Sequence, residues 1–370
     1  MSLWKLRALV LGQDQPPNNI YTALTASGIP VAAADCRTCP NPCDEGHSEY
    51  PRRFSVDLES PMLGTVKPFR RQASGQCIWS AGRLLTNAPQ AARTGIATLP
   101  TRMDPSQRCY RKLTHRKCPT LLPLSPLTWA TRRSYLRSPG VFSSTDSTRL
   151  SILNGSHKTV CADDDHETVI VLPDYSVVAG VPKTLDGAKE LWRTALDSGL
   201  PRMGITEETS SFQTWILPYS CVIMLCSHKR RDNRCAIAAP KLEHAFIECL
   251  QRKGWTADTQ LEHIVEPPLE TFSGTAEEKA AYITDELKDL PSAKKALIIK
   301  NSHMGGHKYA GNCIIYTPQG SSVWYGRVTT HEVESIVVNT IERGLVLPPL
   351  LRGGMDLSRL PGCPTTLHDW

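Results

Sequence analysis

The sequence predicts an α/β protein, with an N-terminal α+β domain followed by a domain in which helices cover a mixed sheet. Three observations carry that prediction. Short apolar runs such as PYSCVIML, KALIIKN and CIIYT recur at strand length between turn residues. Stripes of helical period alternate with them, and no apolar stretch reaches the roughly 18 residues that a membrane-spanning helix needs. The 370 residues leave room for two domains, and a hydrophobic content of 40% supports a real core.

Taken in order, residues 1–17 open with MSLWKLRALVLGQ, where Lys5 and Arg7 precede the first acid, Asp14. This is compatible with the start of a mitochondrial presequence, although it is short and lacks the usual run of arginines and serines. Residues 18–72 read as the opening of a compact domain. Residues 73–149 do not, because Ser, Thr, Pro and Arg dominate and no helical or alternating period is sustained. Structureless connections of that length are uncommon inside compact domains. The stretch reads as a disordered basic insertion or, preferably, as sequence foreign to the native frame, such as a retained intron. It carries twelve Lys/Arg against two acids, a local excess of ten that leaves the rest of the chain net acidic by four. The net charge of +6 is therefore local, and it argues for no nucleic-acid partner. Residues 150–205 complete the N-terminal domain. ETVIVLPDYSVVAGV gives two strands around a Pro173-Asp174 turn, and TLDGAKELWRTAL gives a helix.

From 206 to 353 the order is strand, helix, strand, hairpin, helix. PYSCVIML runs up to Cys226, and Pro240 stands where a helix can begin. Leu242, Ala245, Phe246, Cys249 and Leu250 then form one apolar stripe. Residues 275–290 read as a second, more exposed helix, Leu297–Lys300 as a strand, and CIIYT with SVWYGRV as a hairpin. Thr329 with Glu332 is a capping-box signature for a final helix that turns Val333, Ile336, Val337 and Ile341 inward and stops at Gly344. That order fits a thioredoxin-like domain, with residues 354–370 as a C-terminal tail.

Two pairs of residues in this half carry the chemistry. Cys226 and Cys235 bracket SHKRRDNR, and His303 and His307 bracket Met-Gly-Gly, each pair following a strand. Two thiolates and two imidazoles suit a tetrahedral zinc or an iron–sulfur cluster. Zinc knuckles usually separate their cysteines by two to four residues, whereas eight lie between Cys226 and Cys235, which favours the bulkier group. Glycines 305, 306 and 311 argue for a loop folded tightly round a ligand rather than a helix.

Cys226-x8-Cys235 with Arg231-Asp232, the later HMGGHKYAGNCIIYTPQGSSVWYGRV, and the N-terminal DCRTCPNPCDEGHSEYPRRFSVDLESPMLGTVKPFRRQ resemble the sucrase/ferredoxin-like family. The resemblance covers about residues 18–72 and 150–370. It implies a thioredoxin-like ferredoxin domain carrying a 2Fe–2S cluster on Cys226, Cys235, His303 and His307. It also implies electron transfer in mitochondrial or cytosolic redox or thiol quality control. Histidine ligation would raise the potential toward roughly −150 to +300 mV and couple it to pH through the second imidazole nitrogen.

Other features stand beside this site. Cys36, Cys39 and Cys43, with His47 close behind, offer a second metal site or redox-active thiols. Lys229, Arg230, Arg231 and Arg234 form a solvated basic face or a docking surface for an acidic redox partner. Cys221, Cys249 and Cys313 read as buried inert thiols, and Trp324 and Tyr325 as core. Thirteen cysteines, an odd number, fit a reduced mitochondrial or cytosolic protein better than a disulfide framework. Asp369 and Trp370 resemble a C-terminal signal read by cytosolic iron–sulfur assembly machinery. No nucleophile elbow, phosphate-binding loop or paired-carboxylate signature is present in the sequence, so an electron carrier is favoured over an enzyme. Two rivals remain at this level: a zinc-stabilised binding module on the same four ligands, and a thiol oxidoreductase acting through Cys36, Cys39 and Cys43.

Overall fold

The structure, a computed structural model, describes residues 18–75, 139–202, 211–229, 232–262, 264–359 and 366–369. The chain begins with helix α1 (Asn18–Ala26), strand β1 (Arg71–Gly75), the short β2 (Val141–Phe142) and β3 (Leu150–Asn154). The hairpin β4 (His166–Leu172) and β5 (Ser176–Pro182) follows, then α2 (Leu185–Leu191), β6 (Gln213–Ile216) and β7 (Cys221–Cys226). Next come α3 (Arg234–Arg252), β8 (Thr256–Asp258), α4 (Ala276–Asp289) and β9 (Lys295–Asn301). β10 (Cys313–Tyr316), β11 (Ser322–Tyr325), α5 (Val333–Ile336, continuing in wider turns to Glu342) and β12 (Leu351–Met355) complete the described strands and α-helices.

These strands make two mixed sheets. Five run in the order β3-β1-β4-β5-β6, and seven in the order β2-β12-β11-β10-β7-β9-β8. Strand periodicity explains how the second sheet is held. In β7, Cys221, Ile223 and Leu225 face the core shared with α1, α3 and α5, whereas Val222, Met224 and Cys226 face a core shared with α4 and the five-stranded sheet. β9 and β10 divide their side chains the same way. Burial on both faces explains why these strands read as continuous apolar runs rather than as alternation. The helix stripe holds as read, with Leu242, Phe246, Cys249 and Leu250 buried and Ala245 partly so.

Several sequence expectations shift. α3 begins at Arg234, so Pro240 lies inside it and Cys235 sits in its first turn instead of in a loop. Apolar burial along the helix offsets the hydrogen bond that proline removes. Thr329 and Glu332 do bond each other, but α5 starts only at Val333. The N-terminal segment joins the seven-stranded sheet: Leu24, Ile29 and Ala32 enter its helical core, and Val31 bridges to Val346. β6, past residue 205, pairs with β5 of the five-stranded sheet. The basic stretch assigned to 73–149 starts inside β1, holds β2, whose Val141 and Phe142 pair with Gly354 and Met355 of β12, and ends directly before β3; its residues 76–138 lie outside the described residues. A two-residue strand among serines and threonines has no readable period. Residues 1–17 lie outside the described residues.

Candidate metal centres

The first centre follows from strand register. β7 and β9 run parallel, and Cys226 stands opposite Asn301, two residues before His303. Both chains leave the sheet at the same end, where loops are free to assemble a site. Asn301 is fully buried, and Ser227 N donates to its carbonyl at 2.8 Å. The neighbouring sheet braces this end, since Ser302 N donates to Asn154 O at 2.8 Å and Ser74 Oγ to Asn301 Oδ1 at 3.0 Å.

All four sequence-derived ligands converge here, in two pairs. The Cys235 thiol donates to Cys226, and both sulfurs are buried. The rings of His303 and His307 stack with centroids 3.9 Å apart and planes 12° apart. His228, missed in the sequence, has its ring 5.2 Å from that of His303 and 5.4 Å from that of His307. The Cys226 thiol is pulled down to about 4 by the hydrogen bond from Cys235, with help from His303 and from the backbone at Met304 and His228. Cys235 moves the opposite way, because a second charge beside Cys226 is resisted. Burial and neighbouring His303 lower the His307 pKa, keeping its imidazole neutral as a metal ligand requires. Its Nδ1 is buried with no hydrogen-bond partner.

The glycines work as expected, in part. Gly305 and Gly306 take positive φ of 86° and 73°, and a Cβ on Gly306 would run into the guanidinium of Arg352. Arg352 itself was not foreseen. It is 2% exposed and donates to Asn312 Oδ1 at 2.7 Å, Thr65 Oγ1 at 3.1 Å and Gly305 O at 3.2 Å, all uncharged acceptors. Asn312 in turn donates to Gly306 O at 3.0 Å and lies 3.9 Å from Cys235 Sγ. A buried guanidinium held by neutral acceptors needs a nearby anion; the Cys226 thiolate is the charge that answers it, and the Tyr309 ring lies 5.5 Å from the guanidinium carbon.

In the basic loop one residue, Arg234, departs from its reading. Lys229 is exposed, whereas Arg234 pairs with Asp232 at 2.5 Å and donates to Ser55 O at 2.8 Å. Its charge is neutralised locally, so it ties the cysteine loop to the N-terminal segment. Arg230 and Arg231 lie outside the described residues. That segment also covers the histidine loop, with Tyr309 Oη donating to Pro61 O at 2.9 Å and Lys308 paired to Asp57 at 3.0 Å.

A second group stands elsewhere. Cys39, Cys43, His47 and His331 bring their ligand atoms within 4.8 Å of one another, a set that could hold a metal ion. Cys36, grouped with Cys39 and Cys43 by sequence, is not among them; it packs at the edge of the helical core, where burial pushes its thiol up to about 12. Cys221 and Cys313 are buried with thiols likewise pushed up, as inert thiols should be. Trp324 and Tyr325 are buried in the core. In the tail, Leu367 is buried and the Asp369 carboxylate accepts from Thr366 N and Oγ1, both at 2.8 Å, so Asp369 faces inward to its own turn. Trp370 lies outside the described residues. No described helix is long and apolar enough to cross a membrane.

Comparison with known proteins places these residues in context. The model of the sucrase/ferredoxin-like family matches residues 104–353. The chain is 30% identical over 132 residues to Altered inheritance of mitochondria protein 32 of Meyerozyma guilliermondii, covering 36% of this chain and 34% of that protein. It is 30% identical over 162 residues to Actin patches distal protein 1 of Saccharomyces cerevisiae, covering 44% of this chain and 40% of that protein. The matches thus span well under half the length of these relatives. No solved structure matches the chain.

Proposed function

The chain belongs to the sucrase/ferredoxin-like family, and from that premise we propose that it is an electron-transfer protein holding a 2Fe–2S cluster on Cys226, Cys235, His303 and His307. The observation that carries this reading is the two-and-two arrangement, in which a contacting thiol pair faces a stacked imidazole pair at the ends of β7 and β9. Thiolates paired on one iron and imidazoles on the other are what a histidine-ligated two-iron cluster requires. Two further features fit an anionic cofactor there: the partnerless buried Nδ1 of His307 and the buried charge of Arg352.

When bound, the cluster supplies a one-electron redox couple. The protein's own residues do the rest. Arg352 sets a positive potential behind the thiolates, which favours the more negative reduced state. The N-terminal segment, fixed by Arg234, Lys308 and Tyr309, covers one side of the cysteine and histidine loops, while His303 stays exposed to solvent. Lys229 contributes exposed positive charge beside the cysteine loop for an acidic partner. Mitochondrial or cytosolic redox or thiol quality control is the setting this reading suggests. The mitochondrial name of one relative favours the first compartment.

Anaerobic purification of the full chain tests the proposal. Expected are visible charge-transfer bands, iron and acid-labile sulfide in equal amounts, and imidazole-nitrogen couplings in the paramagnetic resonance of the reduced protein. A colourless protein that binds only zinc through these four residues would overturn it.

A further inference from the structure

We propose that Cys39, Cys43, His47 and His331 bind a structural zinc ion that clasps the N-terminal segment onto the loop preceding α5. The site shares no residue with the cluster ligands and stands independently of the cluster reading.

The donor set is two thiols and two imidazoles with no carboxylate among them, the composition of closed structural zinc sites. Cys39 Sγ lies 3.2 Å from His331 Nδ1, and Cys43 Sγ lies 3.3 Å from His47 Nδ1. Bond lengths near 2.3 Å for sulfur and 2.0–2.1 Å for nitrogen put two donors of a tetrahedral zinc about 3.5 Å apart. Those two separations are therefore within a few tenths of an ångström of a coordinated pair, and all four donors lie within 4.8 Å of one another. Cys39 and Cys43 also contact each other, and the two imidazole planes meet at 89° with centroids 5.2 Å apart, so the donors approach a common point from different sides.

Two details point to a metal rather than to a chance cluster. His331 is buried, and its other nitrogen, Nε2, stands 3.0 Å from the carboxylate of Glu49. A carboxylate on the far nitrogen fixes the tautomer and orientation of a ligating histidine. Three of the four donors come from one short knuckle, CPNPCDEGH, in which Gly46 takes a φ of 76° and reverses the chain between Cys43 and His47. The fourth arrives 292 residues after Cys39.

That separation defines what the ion does. Around it, Tyr50 Oη donates to Val328 O at 2.8 Å, Thr330 Oγ1 to Ser48 O at 3.1 Å and Ser335 Oγ to Asp35 O at 2.7 Å. The same segment continues into Ser55–Pro61, which covers the cysteine and histidine loops. A zinc ion here joins the start of the chain to α5 and holds that cover in register.

The test is the metal content of the full chain, wild type and variants, by mass spectrometry. The expected result is a single zinc in the wild type, retained in Cys226→Ser/Cys235→Ser and lost in Cys43→Ser/His47→Gln. Cys43 and His47 are only partly buried, so their replacement leaves no void in the core. Loss of zinc should raise the rate of tryptic cleavage at Arg37, Arg52 and Arg53 about tenfold, as expected when a closed segment opens. If the double variant does not fold, cobalt(II) loaded into Cys226→Ser/Cys235→Ser decides, with an intense tetrahedral, thiolate-ligated spectrum expected. Zinc-free wild type, zinc untouched by Cys43→Ser/His47→Gln, unchanged cleavage on zinc loss, or a pale octahedral cobalt spectrum would each overturn the proposal.

Discussion

The two Cys/His constellations use the same four side-chain types in opposite ways. The first sits where β7 and β9 end, and its candidate ligands separate into a thiol pair and a stacked imidazole pair. The second draws all four donors within 4.8 Å between a loop-rich segment and the approach to α5. Composition alone would give both the same metal. Geometry separates them, because paired donors suit two linked irons while a compact set suits one tetrahedral ion. Origin separates them too. Sheet register anchors the first, bringing the ends of β7 and β9 together; tertiary closure makes the second, so metal and closure support each other.

The sharpest way to break the comparison is at the first site. Cys226→Ser or Cys235→Ser should remove all iron and sulfide while the zinc of the second site stays, because a neutral hydroxyl is a poor iron ligand. Unchanged iron in both variants would sink the assignment. His303→Cys or His307→Cys should keep a cluster of lower potential, since thiolate adds negative charge.

How far each site could be read from sequence follows from the same difference. β7, β9 and the hairpin announce themselves as apolar runs, and each candidate pair follows one of two such runs, so the candidates for the first site could be picked out before any fold was known. Its electrostatic partner was not. Arg352 lies in LRGGM, where the glycines hide β12, and its guanidinium meets the site through Asn312, forty residues away in sequence. His331 was equally hidden, since nothing in TTHEVE marks it as a partner of Cys39. The segment 18–72 lacks periodicity because its contacts are long-range, so its allegiance to the seven-stranded sheet had no local signal. Pro240 misplaced the start of α3, because proline favours first turns but tolerates an interior position when burial on the opposite face outweighs the lost bond.

Arg352 offers the next, smaller effect. At an effective dielectric of about 20, a charge a few ångströms away is worth about 2–3 kcal/mol, on the order of 100 mV for one electron. Arg352→Met should therefore shift the potential of the first site downward by that order while iron content holds. Voltammetry that gives the wild-type potential would show that the guanidinium serves only Asn312 and Thr65.

His157 sharpens the comparison in a different way, by asking whether the joint between the sheets limits acid stability. It is fully buried, with Nε2 3.3 Å from Thr168 O, and burial lowers its pKa to about 4. In the unfolded chain the imidazole takes up its proton near pH 6.5, whereas the folded one stays neutral down to about pH 4. Stability should thus fall as pH drops from about 6.5 to 4, by up to about 3 kcal/mol, and be level outside that window. Urea midpoints across it should decline less for His157→Gln, and parallel curves would reject the assignment.

The smallest expected effect belongs to Cys36→Ser. Sequence spacing groups Cys36 with Cys39 and Cys43, and a three-thiolate zinc site would lose its metal with any of them. The structure sets Cys36 apart, at the margin of the helical core and close to Glu332 and Asp35. Its thiol is pushed up to about 12 by burial and that carboxylate, so it is neither a ready nucleophile nor a ready ligand. The hydroxyl of serine is close to it in size and partly accessible, so the fold should lose no more than about 1 kcal/mol. Zinc and iron contents of the variant should equal those of the wild type, while Cys39→Ser, one helical turn's length away in sequence, should lose zinc alone. If Cys36→Ser were to shed zinc, the donor set would be the one that spacing predicts, and His331 would be a bystander held by Glu49.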